Sequence, residues 1–268
     1  MEKEFQRTAM LLGNPALNTL LASKVCVVGI GGVGGYVVEA LARSGVGELH
    51  LVDSDRVDAT NLNRQLVALH STIGQYKVDV AQQRILDIHP KCIVKTYKMF
   101  YLPETASAVD LSGMDYVVDC VDTVKAKIHL IQQCRLLGVP LICSMGAANK
   151  MDPTAFRVDD IEKTTMDPLA KVIRKKLRQL GIRGQKVVWS AEPPLAPLST
   201  RDDGQRLPAS NAFVPPAAGL VIASEVVKDL LRKSHTYRIS PEEEANNPYA
   251  GEAAAKAGKW MRGGAENA

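Results

Sequence analysis

No Cys-x-x-Cys pair occurs in this chain, and no cysteine follows Cys143. The five cysteines, Cys26, Cys92, Cys120, Cys134 and Cys143, form an odd set without a disulfide-like spacing. With no signal-peptide pattern at the amino terminus, this usage reads as reduced thiols in a cytoplasmic enzyme. No apolar run approaches the roughly 18 residues of a membrane span. The best candidate, Ala217 to Val227, is short and interrupted by Glu225, and reads as a buried helix. No membrane partner is expected. A strong charge imbalance is missing as well: the formal charge of +4 suits an anionic partner without demanding one. Internal repeats are absent.

What is present is an ordinary globular composition, 46% hydrophobic and 23% charged over 268 residues, enough for one large α/β domain. The most informative stretch runs from Val25 to Gln65. A hydrophobic run, Val25 to Ile30, breaks into glycines at Gly29, Gly31, Gly32, Gly34 and Gly35; a helical stretch stops at Gly45, and a second strand ends in Asp53. Gly29, Gly31, Gly32 and Gly34 let backbone approach a phosphate at a helix amino terminus, beyond merely allowing strand–helix packing. Asp53 is placed to accept from ribose hydroxyls, its alternative being a turn or cap acid, and Asp55 is a lesser member of the same edge.

The β-α-β-α rhythm continues with a helix from Tyr76 to Ile88, strands at Cys92 to Tyr97 and Tyr116 to Val121, a helix from Lys125 to Leu137 and a strand from Leu141 to Met145. That alternation predicts a Rossmann-like, doubly wound, mostly parallel sheet, with ligands at the carboxyl ends of the strands. After Met151 the rhythm changes. Thr154 to Val158 alternates like an antiparallel strand, and Pro168 to Leu180 is a helix capped by Asp167 with Gly181 beyond it. Val187 to Ser190 is one more strand, inside a Pro- and Ser-rich crossover loop from Gly184 to Ser210. The expected organisation is a single domain, 1–239, with a Rossmann-like half at about 23–147 and a substrate-binding half at about 151–239. Composition from Ser240 onward predicts a disordered tail, 240–268.

The glycine turn with its acid is shared by NAD(P) enzymes and other Rossmann-like binders, so it leaves the nucleotide open. Asn61, Arg64 and Lys77 tilt the choice toward ATP. A dehydrogenase has no use for an Arg and a Lys converging on the phosphates, whereas pyrophosphate departure accumulates negative charge there. Asp122, an acid after a buried strand and beside a polyphosphate, reads as a Mg²⁺ ligand.

GIGGVGG, LVDSD, TNLNRQ, the GQYK ending in Lys77 and DCVD at Asp119 to Asp122 together resemble the ubiquitin-activating-enzyme-like adenylating superfamily. Its bacterial members activate sulfur-carrier proteins in thiamine and molybdopterin synthesis. VVWSAEPPLAP, NAFVPPAAGLVIASEVVKDL and MDPTAFRVDDIEKTTMDPLAKVIRKKLR resemble the tRNA threonylcarbamoyladenosine dehydratase branch of it.

That resemblance implies several further things. Arg64 stands at the triphosphate, with Lys77 beside it. Thr123 replaces the Asn of some relatives, and Gly35 a frequent Ser. The crossover loop lies over the nucleotide. The chain forms a homodimer in which Arg7, within QRTAMLLG, reaches the partner's ATP site. Without a crossover cysteine or paired zinc-binding cysteines, the chain adenylates with neither a thioester nor zinc. The implied activity is ATP-dependent cyclisation of threonylcarbamoyladenosine in tRNA next to the anticodon, with a sulfur-relay protein as an open question. Lys171, Arg174, Lys175 and Arg178 share one face of the Pro168 helix, opposite Leu169, Val172, Ile173, Leu177 and Leu180. That face is either solvated or a phosphate-contact stripe for tRNA. The rival readings are an activator of a ubiquitin-like sulfur carrier, a non-catalytic nucleotide-binding module and, last, an NAD(P) oxidoreductase.

Overall fold

A computed structural model describes residues 3–196, 198 and 208–237. Seven strands form one sheet in the order β3-β2-β1-β4-β5-β7-β6. They are β1 (Lys24–Val28), β2 (Glu48–Val52), β3 (Ile93–Tyr97), β4 (Tyr116–Asp119), β5 (Leu141–Ser144), β6 (Phe156–Asp160) and β7 (Lys186–Ser190). All neighbours are parallel except β6 and β7, which pair antiparallel with Val158 opposite Val188. The doubly wound sheet with an antiparallel extension is therefore observed.

The strands read as continuous hydrophobic runs because both faces of the sheet are covered. Val25, Val27, Leu49, Leu51 and Val118 alternate onto one face, and Cys26, Val28, Val52, Val117 and Cys143 onto the other. The first face packs on α3 (Gly34–Ser44), α4 (Lys77–Ile88) and α7 (Val214–Lys233); the second packs on α5 (Val124–Leu137) and α6 (Pro168–Gln179). The strand order turns back between β1 and β4. The crevice at that switch point is where a parallel sheet of this kind takes a ligand.

Several boundaries differ from the sequence reading. Two helices, α1 (Gln6–Leu12) and α2 (Asn14–Ala22), precede the sheet, held through a small cluster of Phe5, Ala9 and Leu17. Their apolar stripes are too short to stand out as a period. β4 ends at Asp119, because the Asp119 carboxylate accepts from the Val121 N–H and turns the chain, so Cys120 lies just outside the strand and is only half-buried. The helix beginning at Val214 is longer than Ala217 to Val227, with Pro215 and Pro216 in its first turn, where a missing N–H costs nothing. In α6, Ala170, Ile173 and Leu177 are buried while Val172 and Leu180 are exposed, so its apolar stripe is narrower than the sequence implied. The tail at 240–268 and part of the crossover loop, 197 and 199–207, lie outside the described residues. No described helix is long and apolar enough to cross a membrane.

Beneath the switch point lies a fully buried ion pair. Lys127 Nζ on α5 is 2.9 Å from Asp119 Oδ2 and also donates to the Ser144 carbonyl at 2.7 Å, tying β4, α5 and β5 together. Burial alone lowers the tendency of that amine to hold a proton, but Asp119 more than offsets it and the net shift is upward. Lys127→Met should therefore leave an uncompensated buried carboxylate and lower stability by about 3–5 kcal/mol in urea denaturation. Asp119→Asn combined with Lys127→Met should recover much of that loss. A single substitution with an unchanged midpoint would show that the pair does not hold the three elements together.

Candidate active site

The turn after β1 brings backbone closer to backbone than any side chain permits. Gly29 has φ +92°, and a Cβ there would lie 2.8 Å from the Cys120 carbonyl oxygen; one on Gly34 would lie 1.8 Å from the Gly29 carbonyl oxygen. The first turn of α3 is thereby pressed against the end of β1. No side chain caps α3; its first turn is closed by backbone alone, the Gly35 N–H donating to the Gly31 carbonyl and the Tyr36 and Val37 N–H groups to that of Val33. At Gly31 the nearest heavy atom to such a Cβ is Gln65 Nε2, 3.9 Å away. That leaves a cradle open at the turn.

Asp53, at the end of β2, closes the turn. Its Oδ2 accepts from the Ile30 N–H at 2.6 Å and its Oδ1 from the Asp55 N–H at 2.8 Å. Burial pushes this carboxyl up, against the opposing pull of those two bonds. Asp53 is thus the clasp of the glycine turn, with lone pairs left on each oxygen.

The segment after β2 is built as two short turns. Asp58 and Asn61 form a reciprocal cap: the Asp58 side chain accepts from Thr60 N–H, and Asn61 Oδ1 accepts from Asp58 N–H at 3.1 Å. Asn61 is buried in this role, which shapes the loop rather than facing outward. Arg64 follows, its stem against Gly32, where a Cβ would meet Arg64 Cγ and Pro215 Cβ at 3.3 Å each. Gln65 is also buried, and its Oε1 has no hydrogen-bond partner among the described residues. Lys77, at the start of α4, is buried and paired with Asp55 at 2.7 Å. The sequence treats these two as separate members of the site; the structure joins them. Asp122 and Thr123 are exposed at the turn between β4 and α5, with Thr123 Oγ1 3.4 Å from Asp122 Oδ1.

Gly29, Gly34, Asp53, Arg64, Gln65 and the turn after β4 thus converge on the β1/β4 crevice. A match to the family model described as "ThiF family" spans residues 5–257. The chain belongs to the ThiF family. Among individual relatives, tRNA threonylcarbamoyladenosine dehydratase of Bacillus subtilis is 48% identical over 254 residues, covering 89% of this chain and 99% of that protein. The Escherichia coli protein of the same name is 35% identical over 254 residues, covering 87% and 95%. The solved structure of that E. coli dehydratase in complex with ATP superposes with a TM-score of 0.80 at 35% identity, covering 87% of this chain and 96% of the other. A companion structure is its complex with AMP.

Not all of the predicted site residues face the crevice. Arg174 on α6 donates to the carbonyls of Ile161 and Thr164, at 3.2 and 2.9 Å, and Arg178 pairs with Glu162. Both are committed to the protein, Arg178 while still exposed, and Lys171 and Lys175 are exposed too. Arg7 is exposed on α1. A buried ion pair and a second buried lysine escaped the sequence reading. Asp119 is the first acid of DCVD, overshadowed there by Asp122, and Lys127 sits in the apolar period Lys127, Leu130, Ile131, Cys134, where a lysine stands out as needing a partner. Lys150 is the other; its Nζ lies against the Ser190 and Glu192 carbonyls in the second half, and burial pushes its pKa down.

Burial pushes the thiol of Cys120, beside the crevice, far up and that of Cys134, in the last turn of α5, up to about 12, which disfavours the thiolate at both. Cys120, the half-buried one beside Gly29, should therefore be dispensable: Cys120→Ala should keep ATP–pyrophosphate exchange within about threefold of the parent, less than the loss of one transition-state donor costs. Loss of exchange with ATP still bound would make that thiol part of the chemistry.

Proposed function

We propose that this chain uses ATP to cyclise threonylcarbamoyladenosine in tRNA next to the anticodon. A carboxylate oxygen of the modification attacks the α-phosphorus and pyrophosphate leaves. A nucleophile within the same modification then attacks the acyl carbon and gives up its proton. AMP departs with the former carboxylate oxygen, so the net change in the nucleoside is loss of water. Holding the internal nucleophile beside the activated carbon gives it a high effective concentration, so no thioester relay is required. The carrying observation is a relative of that name, 48% identical across 99% of its length, aligned with a chain whose glycine turn, Asp53 and Arg64 share one crevice.

ATP fits the residues present. The open cradle at Gly31 and the uncapped α3 terminus suit phosphate, Asp53 suits ribose, and the unpartnered Gln65 Oε1 is a buried acceptor awaiting a donor. Arg64 and Lys77 would neutralise charge growing on the leaving pyrophosphate. Among the described residues no three His, Cys, Asp or Glu side chains gather as a metal site. Asp122 would thus hold Mg²⁺ as one carboxylate completed by phosphate oxygens and water, and the ion would offset charge on the departing group. Lys171 and Lys175, exposed on α6, would meet tRNA phosphates. The step itself consumes no sulfur, so any sulfur-relay protein would act as a partner and not as a reactant. A cytoplasmic setting suits a tRNA substrate.

Mass analysis of nucleosides from tRNA incubated with the protein and ATP should show threonylcarbamoyladenosine losing one water, with AMP formed in equal amount. Unchanged nucleosides would refute the reading. Arg64→Ala and Lys77→Ala should lower turnover by about 3 kcal/mol of transition-state stabilisation while weakening ATP binding far less. Equal losses in both would make them ground-state ligands only. Asp122→Ala should shift the magnesium titration upward, and an unmoved titration would remove its ligand role.

The homodimer belongs to the same proposal. Arg7 shares α1 with Met10, 76% exposed, and Leu11, 74% exposed, an outward apolar pair beside an exposed cation. Mixing Arg7→Ala with Arg64→Ala subunits should restore part of the activity, because one hybrid site then has both arginines. No recovery, or a monomer by light scattering, would contradict a trans role.

A further inference from the structure

Asn63 is the side chain that connects Arg64 to the second half of the chain. Its Oδ1 accepts from Arg64 Nη1 at 2.8 Å, and its Nδ2 donates to the Ser210 carbonyl at 3.0 Å. The amide has only one workable orientation, since a guanidinium can only donate and a carbonyl can only accept. Arg64 Nη1 donates a second time, to the Thr60 carbonyl at 3.0 Å. Both hydrogens of Nη1 are therefore held by protein. What is left is the Nε–Nη2 edge, the side-on fork that matches two oxygens of a phosphate. The stem is fixed as well, lying over Gly32 beside Pro215.

Ser210 is itself a firm anchor. Its neighbour Ala209 is held by Asn149, backbone to backbone at 2.7 Å and through Asn149 Oδ1 at 2.8 Å. Asn149 takes φ +58° to make these bonds. On the other side, Asn211 Nδ2 donates to the Lys150 carbonyl at 2.8 Å, while Asn211 Oδ1 caps α7 through the Val214 N–H at 2.8 Å. Lys150 in turn is fastened to the end of β7 through Ser190 and Glu192. A continuous set of hydrogen bonds thus runs from the segment that opens α7 to one edge of the Arg64 guanidinium, and Asn63 is the side chain that joins the two.

We propose that Asn63 is a positioning residue: it turns the Nε–Nη2 edge of Arg64 toward the phosphate and ties that orientation to the Ser210–Asn211 segment. This rests on the adenylating role given above to Arg64. Asn63 touches neither substrate nor ATP in this account, so its removal acts on rate through Arg64 and leaves ATP affinity nearly untouched. Asn63→Asp keeps the acceptor for Arg64 but sets a carboxylate against the Ser210 carbonyl, so it retains the orientation and loses the tie.

The test is a double-mutant cycle with a second readout that does not depend on turnover. Asn63→Ala should lower kcat for nucleoside dehydration about tenfold, the worth of one hydrogen bond to a charged group, with the ATP Kd and the urea midpoint nearly unchanged. In an Arg64→Ala background the same change should cost nothing further. Asn63→Asp should fall between Asn63→Ala and the parent. Independently, the Arg64 side-chain N–H signals in nitrogen NMR should report hindered rotation of the guanidinium in the parent protein and free rotation in Asn63→Ala. Additive losses in the cycle, or equal losses in kcat and ATP affinity, would overturn the proposal. So would Arg64 signals that ignore the substitution. If the parent protein leaves tRNA unchanged while the NMR signals still respond to Asn63→Ala, the catalytic reading of Arg64 fails and the positioning by Asn63 stands.

Discussion

Backbone-on-backbone contact at the end of β1 is the constraint from which the rest of the crevice follows. Only glycine at positions 29 and 34 lets the first turn of α3 close on the strand and on the Cys120 carbonyl. A third such approach occurs at Gly219 of α7, where a Cβ would meet the Val33 carbonyl oxygen at 2.4 Å. These contacts fix the α3 amino terminus at the switch point of the sheet, seat α7 across it and carry Pro215 up to Gly32. The glycine-turn backbone, Arg64 and the opening of α7 are consequently one packed unit rather than separate loops.

Charge is arranged around that unit so that buried cations have partners before any ligand arrives. Lys127 is matched by Asp119, and Lys77 by Asp55. An unpaired ammonium at either place would cost several kcal/mol. Arg64 is different: its charge is balanced by no carboxylate among the hydrogen bonds it makes, only by the Thr60 carbonyl and the Asn63 amide. In the proposed reaction a polyphosphate would serve as the counter-ion of Arg64, whereas Lys77 would have to exchange or share Asp55 to reach the same charge. The two cations do not contribute in the same way.

Much of this was legible in the sequence, for physical reasons. The strand–glycine–helix–strand–acid pattern encodes local geometry, so the β1–α3–β2 unit and the parallel sheet around it follow directly from residue order. Asp167 as a cap and Gly45 as a helix stop are equally local, and both hold. What escaped depends on tertiary contact. Nothing near Arg174 in sequence announces that it turns inward to the Ile161 and Thr164 carbonyls, and a helical wheel places it with Lys171 and Lys175. Lys77 looks like a free point charge until α4 is set beside Asp55. The Asn63–Ser210 bond spans 147 residues, beyond the reach of any spacing argument. The two amino-terminal helices were missed because seven and nine residues are too few to display a period.

The central claim is that the carboxylate of the modification is joined to the α-phosphorus of ATP before the ring closes. Transfer of heavy oxygen tests it most directly. tRNA whose threonylcarbamoyl carboxylate carries the label should yield AMP containing one labelled oxygen, with none in pyrophosphate, as the nucleoside loses water. Label in inorganic phosphate with formation of ADP, or label released to solvent with none in AMP, would contradict adenylation.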